Sequence, residues 1–199
     1  LIELARLLKH SKTKTNNYLF LAFSAEELGL NGSKFFTEHP TVDFLKVSYM
    51  INMDMVGRLN DSSKTLQIGG SGTSPWWGQL FGKMSNKKYF TIKYDSSGTG
   101  PSDHTSFYRK DIPVLFFFTG THGDYHKPSD DAEKINYKGE LAVVNFIKEI
   151  IAATNSRSKL VFTKTKEPVT SENSFKVTMG ILLDYTFTGN GVLSEGVSE

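Results

Sequence analysis

The 199-residue sequence contains no cysteine. This absence excludes disulfide bonds and thiolate metal ligands, so a metal site in this chain has to use histidine and carboxylate side chains. It leaves both reducing and oxidising compartments open. The composition therefore restricts the chemistry of a metal site but not the location of the protein.

Long apolar runs and a large excess of one charge are also missing. No apolar stretch approaches the ~20 residues that a membrane span needs, and the N-terminus lacks the charged-then-apolar order of a signal peptide. The 23 basic and 21 acidic residues give a net charge of +2, and no basic stripe points to nucleic acid. We therefore expect a domain with no transmembrane segment and no nucleic-acid partner, of unknown oligomeric state.

The chain begins at Leu1 without an initiator methionine. The apolar residues Leu1, Leu4, Leu7 and Leu8 have helical spacing, which predicts a helix that ends near His10. We expect this sequence to be cut from a longer one, so the sequence does not exclude an export signal upstream of Leu1.

Strands alternate with helices along the first three quarters of the chain. The apolar runs predict strands at Tyr18–Phe23, Leu45–Met53, Leu66–Ile68, Tyr89–Tyr94 and Pro113–Phe118. Further helices are predicted at Ser33–Glu38, at Pro75–Met84, from about Ser102, and at Tyr137–Ala153. This alternation predicts an α/β fold, a three-layer sandwich around a mixed, largely parallel central sheet.

Acidic and imidazole side chains follow three of the predicted strands. Glu26-Glu27 comes after the first strand, Asp54 ends the second, and Tyr125-His126 lies in the histidine- and aspartate-rich stretch after the most apolar strand. The carboxyl ends of strands in an α/β sheet are where ligands collect. An isolated Glu pair is usually a solvated surface and an isolated Asp a turn or cap. Together these residues suit a catalytic zinc site or a two-metal hydrolase with metals roughly 3.5–4 Å apart.

Four sequence motifs resemble those of one enzyme family. They read AFSAEELGLNGS, INMDMVGR, SDHTSF and TGTHGDYHKPSDD, and they extend over the region from about Tyr18 to Ile151. In this order they are similar to the di-zinc aminopeptidases, a family that includes secreted bacterial aminopeptidases, glutaminyl cyclases and plasma glutamate carboxypeptidase. The resemblance implies a periplasmic or secreted zinc-dependent aminopeptidase that removes N-terminal, by expectation apolar, residues from peptides.

The resemblance also implies a role for each matching residue. Glu26 corresponds to the general base that takes a proton from the metal-bound water. Glu27 and His126 correspond to ligands of one zinc, and Asp54 to a ligand of the other. Tyr125 corresponds to the phenol that polarises the substrate carbonyl in some members, with a core aromatic as the equal alternative.

Other polar residues of these motifs have less specific roles. Asp103 and Asp130 are candidates for orienting a metal ligand or contacting the substrate amine, and loop capping is an equal alternative. His104 and His122 are interpreted as supporting the site or the fold.

One departure from the family pattern affects the metal site. Family members carry a His-x-Asp segment upstream of the Glu pair, which supplies one terminal ligand and the Asp that bridges both metals. Here 25 residues precede Glu26, and His10 is the only histidine among them. An intact site would bind two zinc ions, so we expect this chain alone to be inactive and to bind metal weakly or at one position.

The sequence predicts three regions. Residues 1–153 are interpreted as the C-terminal part of a zinc-peptidase catalytic domain and residues 154–174 as a polar linker. Residues 175–199 resemble the beginning of a PDZ domain, with two short strands at Phe175–Asp184 and Gly191–Val197. Such a hairpin is too small to fold alone.

Two other functions remain as alternatives. A glutaminyl cyclase-like zinc acyltransferase uses a similar site for intramolecular attack by an N-terminal amine. A non-catalytic binding module that retains the fold is the second alternative.

Overall fold

Four strands form the central sheet of the protein. The computed structural model describes residues 1–12, 15–84, 86–166, 181–183, 191 and 194–197. The sheet strands are β1 (Met50–Asp54), β2 (Thr65–Gly69), β3 (Thr91–Tyr94) and β4 (Val114–Phe118). The helices are α1 (Ile2–Lys9), α2 (Asn31–Glu38), α3 (Pro75–Lys83), α4 (His104–Tyr108) and α5 (Tyr137–Thr154).

The sheet is mixed, with the strand order β1-β4-β2-β3. β1 is parallel to β4, and β2 is parallel to β3, whereas β2 and β4 are antiparallel. The predicted mixed, largely parallel α/β sheet is therefore confirmed.

Strand β4 contributes to the hydrophobic packing on both faces of the sheet. Leu115 and Phe117 are fully buried in a cluster to which α1, α3 and α5 contribute, whereas Val114 belongs to a second cluster with Phe107 of α4. Side chains of a strand alternate between the two faces, so β4 is apolar throughout because helices cover both of its sides.

Helices α3 and α5 begin where the sequence predicts them. The Ser74 hydroxyl accepts a hydrogen bond from the Trp76 amide, and Pro75 takes the first helical position, where a missing N–H is harmless. The Asn136 side chain accepts from the Gly139 amide at 2.9 Å and caps α5. No helix in the described part of the chain is long and apolar enough to cross a membrane.

The predicted strand Tyr18–Phe23 is wrong, because this segment is in no strand of the described structure. Leu21 and Phe23 pack against the cluster around α4, whereas Leu19 is 55% exposed. A strand requires a hydrogen-bonded neighbour as well as apolar residues, and β1 pairs with β4 alone within the described residues.

Two predicted strands are shorter than expected. Leu45–Met53 begins with a one-turn helix at Phe44–Lys46, which the Asp43 carboxylate caps by accepting from the Leu45 amide. Tyr89–Tyr94 likewise begins within a one-turn helix, Asn86–Tyr89, and β3 follows. At the first of these places the Asp43 cap overrides the apolar pattern.

Part of the region interpreted as a linker packs against the domain. Leu160 is buried, the Thr163 amide donates to the Thr73 carbonyl at 2.8 Å, and the Thr165 amide donates to the Tyr108 hydroxyl at 2.9 Å. The boundaries of the three regions stay a prediction.

The C-terminal region is described only in part. Within the predicted hairpin, β5 (Ile181–Leu183) pairs antiparallel with β6 (Ser194–Val197). The rest of residues 175–199, apart from Gly191, lies outside the described residues, so the PDZ-like interpretation stays a prediction.

Candidate metal centre

Glu26 and Glu27 lie in a hydrogen-bonded turn before α2. The amides of Gly29 and Leu30 donate to the Glu26 carbonyl at 3.0 and 2.8 Å. Ala25 has a φ of 54°, in the left-handed region that non-glycine residues rarely adopt. The turn thus places the two adjacent glutamates between residues 18–23 and the start of α2.

Asp54 is the last residue of β1. Its Oδ2 atom accepts a hydrogen bond from the Ser102 hydroxyl at 3.0 Å, and that hydroxyl accepts from the Asn52 amide group at 2.7 Å. Met55 follows in a left-handed conformation with a φ of 49°. Ser102, which the sequence analysis assigns no role, therefore orients the Asp54 carboxylate.

Tyr125 and His126 lie in the loop that follows β4. The loop forms successive turns, in which the Tyr125 amide donates to the His122 carbonyl and the Lys127 amide to the Asp124 carbonyl, both at 2.9 Å. His126 has a φ of 56°, also left-handed. Its ring stacks on the Tyr125 ring with centroids 3.8 Å apart. A left-handed residue therefore lies in or beside each of the three site segments, as is common where a backbone is held for function.

The structure brings the predicted ligands Glu27 and His126 into contact. The Nε2 atom of His126 lies 2.8 Å from Oε1 of Glu27. The two side chains are 53% and 69% exposed, so the pair is accessible from solvent. An exposed imidazole facing a carboxylate contributes little to stability, whereas the same pair is suited to binding a metal.

Glu26 is electrostatically coupled to the rest of this cluster. Burial is the main cause that raises the pKa of its carboxyl. The negative charges of Glu27, Asp54 and Asp103 raise that pKa further. His126 acts in the opposite direction. Three carboxylates and one imidazole thus lie within electrostatic range of Glu26, and the excess of negative charge is one that a bound cation would balance.

Asp103 is the most buried of these acids, with 9% of its surface exposed. Burial raises the pKa of its carboxyl, the Ser33 hydroxyl lowers it, and the Asp54 charge raises it again. Its Oδ1 atom is buried with no hydrogen-bond partner within the described residues. Asp103 lies at the site, close enough to interact electrostatically with the carboxyl groups of Asp54 and Glu26.

Asp130 lies away from the other candidates. Its carboxylate pairs with the Arg58 guanidinium, and its Oδ2 atom lies 3.6 Å from Nε2 of His122. Arg58 also donates to Asp124 at 2.8 Å. Lys134, Arg58 and Ser129 all donate to Asp124, which holds the pKa of that carboxyl well below its usual range. Arg58 lies four residues after Asp54 within the motif INMDMVGR, and this position is a signal in the sequence that could have predicted its role.

The donor set fits zinc only in part. Oxygen and imidazole donors are present, and Glu27 and His126 already converge. Within the described residues no three His, Asp or Glu side chains converge closely enough to hold a metal ion. Glu27 and His126 would therefore hold one ion. Asp54, at the end of β1, would be a ligand of the other ion.

Comparison with known proteins identifies the family. Residues 1–151 match the family described as Peptidase family M28. The chain belongs to this peptidase family. Aminopeptidase YwaD of Bacillus subtilis (strain 168) is 32% identical over an alignment of 149 residues, which covers 68% of this chain and 31% of the relative. The chain thus spans about a third of the length of this curated relative.

Solved structures of aminopeptidases share the fold. The LapA aminopeptidase of Legionella pneumophila has a TM-score of 0.58 and 27% identity, covering 76% of this chain and 42% of LapA. BSAP, described as a zinc aminopeptidase from Bacillus subtilis, has a TM-score of 0.55 and 26% identity, covering 73% of this chain and 38% of BSAP.

Proposed function

We propose that this M28 chain is part of a zinc-dependent aminopeptidase in which Glu27 and His126 bind the metal and Glu26 acts as the general base. The observation that carries the proposal is the 2.8 Å contact between Glu27 and His126, next to Glu26. The related YwaD and LapA, both aminopeptidases by name, support this reaction.

The chemistry assigns a distinct task to each acid. Zinc, when bound, lowers the pKa of a water ligand towards ~7 and polarises the substrate carbonyl. Glu26 accepts a proton from the attacking water and passes it to the amine that leaves. Glu27, at the adjacent position, contacts His126 and would serve with it as a metal ligand. Asp54, oriented by Ser102, supplies a ligand from β1.

We assign to Tyr125 the role of donating a hydrogen bond to the developing oxyanion. Its ring stacks on His126, so its orientation is tied to that of a metal ligand. A phenol that donates to the oxyanion stabilises the transition state more than bound substrate, and its loss lowers kcat more than it raises KM.

Further details remain part of the proposal. We propose two zinc ions in the complete enzyme, apolar N-terminal residues in the preferred peptides, and a periplasmic or secreted location. We also retain the interpretation of residues 175–199 as the beginning of a PDZ-like domain.

The test is an assay of the full-length gene product on aminoacyl-anilide substrates. We expect turnover that a zinc chelator abolishes and that Glu26→Gln reduces by about 10²–10⁴-fold, the usual contribution of general base catalysis. Chelator-insensitive turnover, or full activity in Glu26→Gln, would remove this mechanism.

A second assay of the same protein, on a glutaminyl peptide, distinguishes the peptidase from the two alternatives. A glutaminyl cyclase would convert a glutaminyl peptide with release of ammonia and no change in residue count. A binding module would turn over neither substrate. Release of the N-terminal amino acid would support the peptidase.

A further inference from the structure

The guanidinium of Arg58 binds two carboxylates on the loop that carries His126. Its NH2 group donates to Oδ2 of Asp124 at 2.8 Å, and its NH1 group donates to Oδ1 of Asp130. These two aspartates lie on either side of His126 in the sequence. The side chains of Arg58 and Asp124 are only 18% and 20% exposed, so their ion pair is better shielded than a typical surface pair, whereas Asp130 is 41% exposed.

Arg58 itself comes from the segment that carries Asp54. It ends the one-turn helix Val56–Arg58, which directly follows β1. One turn of the backbone therefore separates two residues with different tasks. Asp54 is a predicted ligand of one metal, and Arg58 binds the loop that carries His126, a predicted ligand of the other metal. A planar guanidinium can fix two carboxylates in a defined geometry, which a lysine ammonium cannot.

Two further contacts join the same loop to the same turn. The Thr119 hydroxyl donates to the Met55 carbonyl at the start of the loop. At its end, the Asn136 amide donates to the Gly57 carbonyl at 2.8 Å. These contacts fix the two ends of the loop, and Arg58 fixes its middle.

The middle of the loop needs such support. His126 has a φ of 56°, in the left-handed region that non-glycine residues rarely adopt. Its side chain is half exposed, so burial does not hold it in place. The turns around it are therefore stabilised mainly by hydrogen bonds and by the two aspartates that Arg58 binds.

We propose that Arg58 is a positioning residue that sets the placement of His126 and Tyr125 relative to Asp54. Arg58 is not one of the predicted metal ligands, and it acts through Asp124 and Asp130. The predicted effect of Arg58 on zinc binding rests on the proposed function. The predicted effect of Arg58 on the loop does not depend on that function.

The variant Arg58→Met retains a side chain of similar length and removes the guanidinium N–H donors. The matched control is Lys127→Met, which removes a cation from the same loop; the Lys127 ammonium donates to the Gly123 carbonyl at 2.9 Å. Arg58→Lys retains the charge without the bidentate geometry. We expect Arg58→Lys to behave more like Arg58→Met than like the wild type.

The first readout is amide hydrogen exchange of the 199-residue chain without metal. We expect the amides of Tyr125 and Asp130, both donors within the loop turns, to exchange faster in Arg58→Met than in the control. Unchanged exchange at these amides would overturn the proposal. A global loss of protection, including the β4 amides, would show a general role in stability and would also overturn it.

The second readout is zinc affinity, measured by titration of zinc against a competing chelator. We expect Arg58→Met to bind zinc about 10–100-fold more weakly than the wild type, as for other residues that orient a ligand, with the control unchanged. Equal affinity in the variant and the wild type would overturn the proposal. Absence of zinc binding in the wild type would contradict the proposed function instead, and the exchange data would then decide the role of Arg58.

Discussion

Nε2 of His126 lies 2.8 Å from Oε1 of Glu27, although 99 residues separate the two in the sequence. The contact brings the loop after β4 to the turn before α2. Both side chains are largely accessible, so neither is placed there by burial. The contact between two predicted ligands of one metal is the structural basis of the proposed function.

Ser102→Ala should impair the second predicted metal position. The Ser102 hydroxyl donates to Asp54 at 3.0 Å, and without it the carboxylate is free to rotate. We expect kcat/KM of the full-length gene product to fall about 10–100-fold, the typical effect of losing a partner of a metal ligand. The control is Ser71→Ala, whose hydroxyl donates to the Asp95 carbonyl at 2.7 Å, away from the acidic cluster. Equal activity of the two variants would exclude this role.

Gly32→Ala should destabilise the turn that carries the Glu pair. A Cβ at this position would lie 2.4 Å from the Ser24 carbonyl oxygen, so the start of α2 or the turn would have to shift. We expect the free energy of unfolding in urea to fall by about 1–3 kcal/mol, as in other overpacked sites.

The matched control for that substitution is Gly78→Ala. Gly78 lies inside α3, and a Cβ there meets nothing within 4 Å. We expect this variant to be more stable than the wild type by about 0.5–1 kcal/mol, because alanine loses less entropy in a helix. Similar effects from both substitutions would show that the approach to Ser24 has no energetic importance.

His104 should make stability decrease with falling pH. Its ring is 1% exposed and stacks on Phe116 with centroids 4.5 Å apart, and burial lowers its pKa to about 4 from the usual 6.5. As the pH falls below 6.5, the unfolded chain takes up a proton before the folded chain does, so protonation favours unfolding. The loss grows down to about pH 4, where it approaches about 3 kcal/mol.

The measurement is the pH dependence of the unfolding free energy in the wild type and in His104→Phe, which retains an aromatic ring. We expect the free energy of unfolding of the wild type to fall relative to that of the variant as the pH falls from 6.5 to 4. NMR titration of the native His104 ring provides a second measurement. A constant difference, or a ring that titrates at its usual pKa, would contradict the prediction.

The fold could be predicted where local sequence decides the structure. Ser74 and Pro75 predict the start of α3, and the apolar run before Thr119 predicts a strand buried on both faces. The segment Tyr18–Phe23 is as apolar as a strand, but whether it joins a sheet depends on a neighbouring strand. No local pattern contains that information.

The site could be predicted from residue type and motif order, but its geometry could not. The sequence predicts that Glu27 and His126 act together, and the structure brings them into contact. It does not predict that Asp130 faces Arg58 and His122, because a carboxylate in a polar loop has many potential partners. The ion pairs of Arg58 depend on how the loop folds back over the end of β1.

Zinc binding by the 199-residue chain tests the central claim most directly. Wild type, His126→Ala and the control His39→Ala, which lies outside the acidic cluster, would be titrated with zinc against a chelator and examined at the zinc absorption edge. We predict weak binding of a single zinc, with Glu27 and His126 as its protein ligands, that His126→Ala abolishes and His39→Ala leaves unchanged. Two fully occupied zinc ions per chain, or a zinc that His126→Ala binds as tightly as the wild type, would contradict this account.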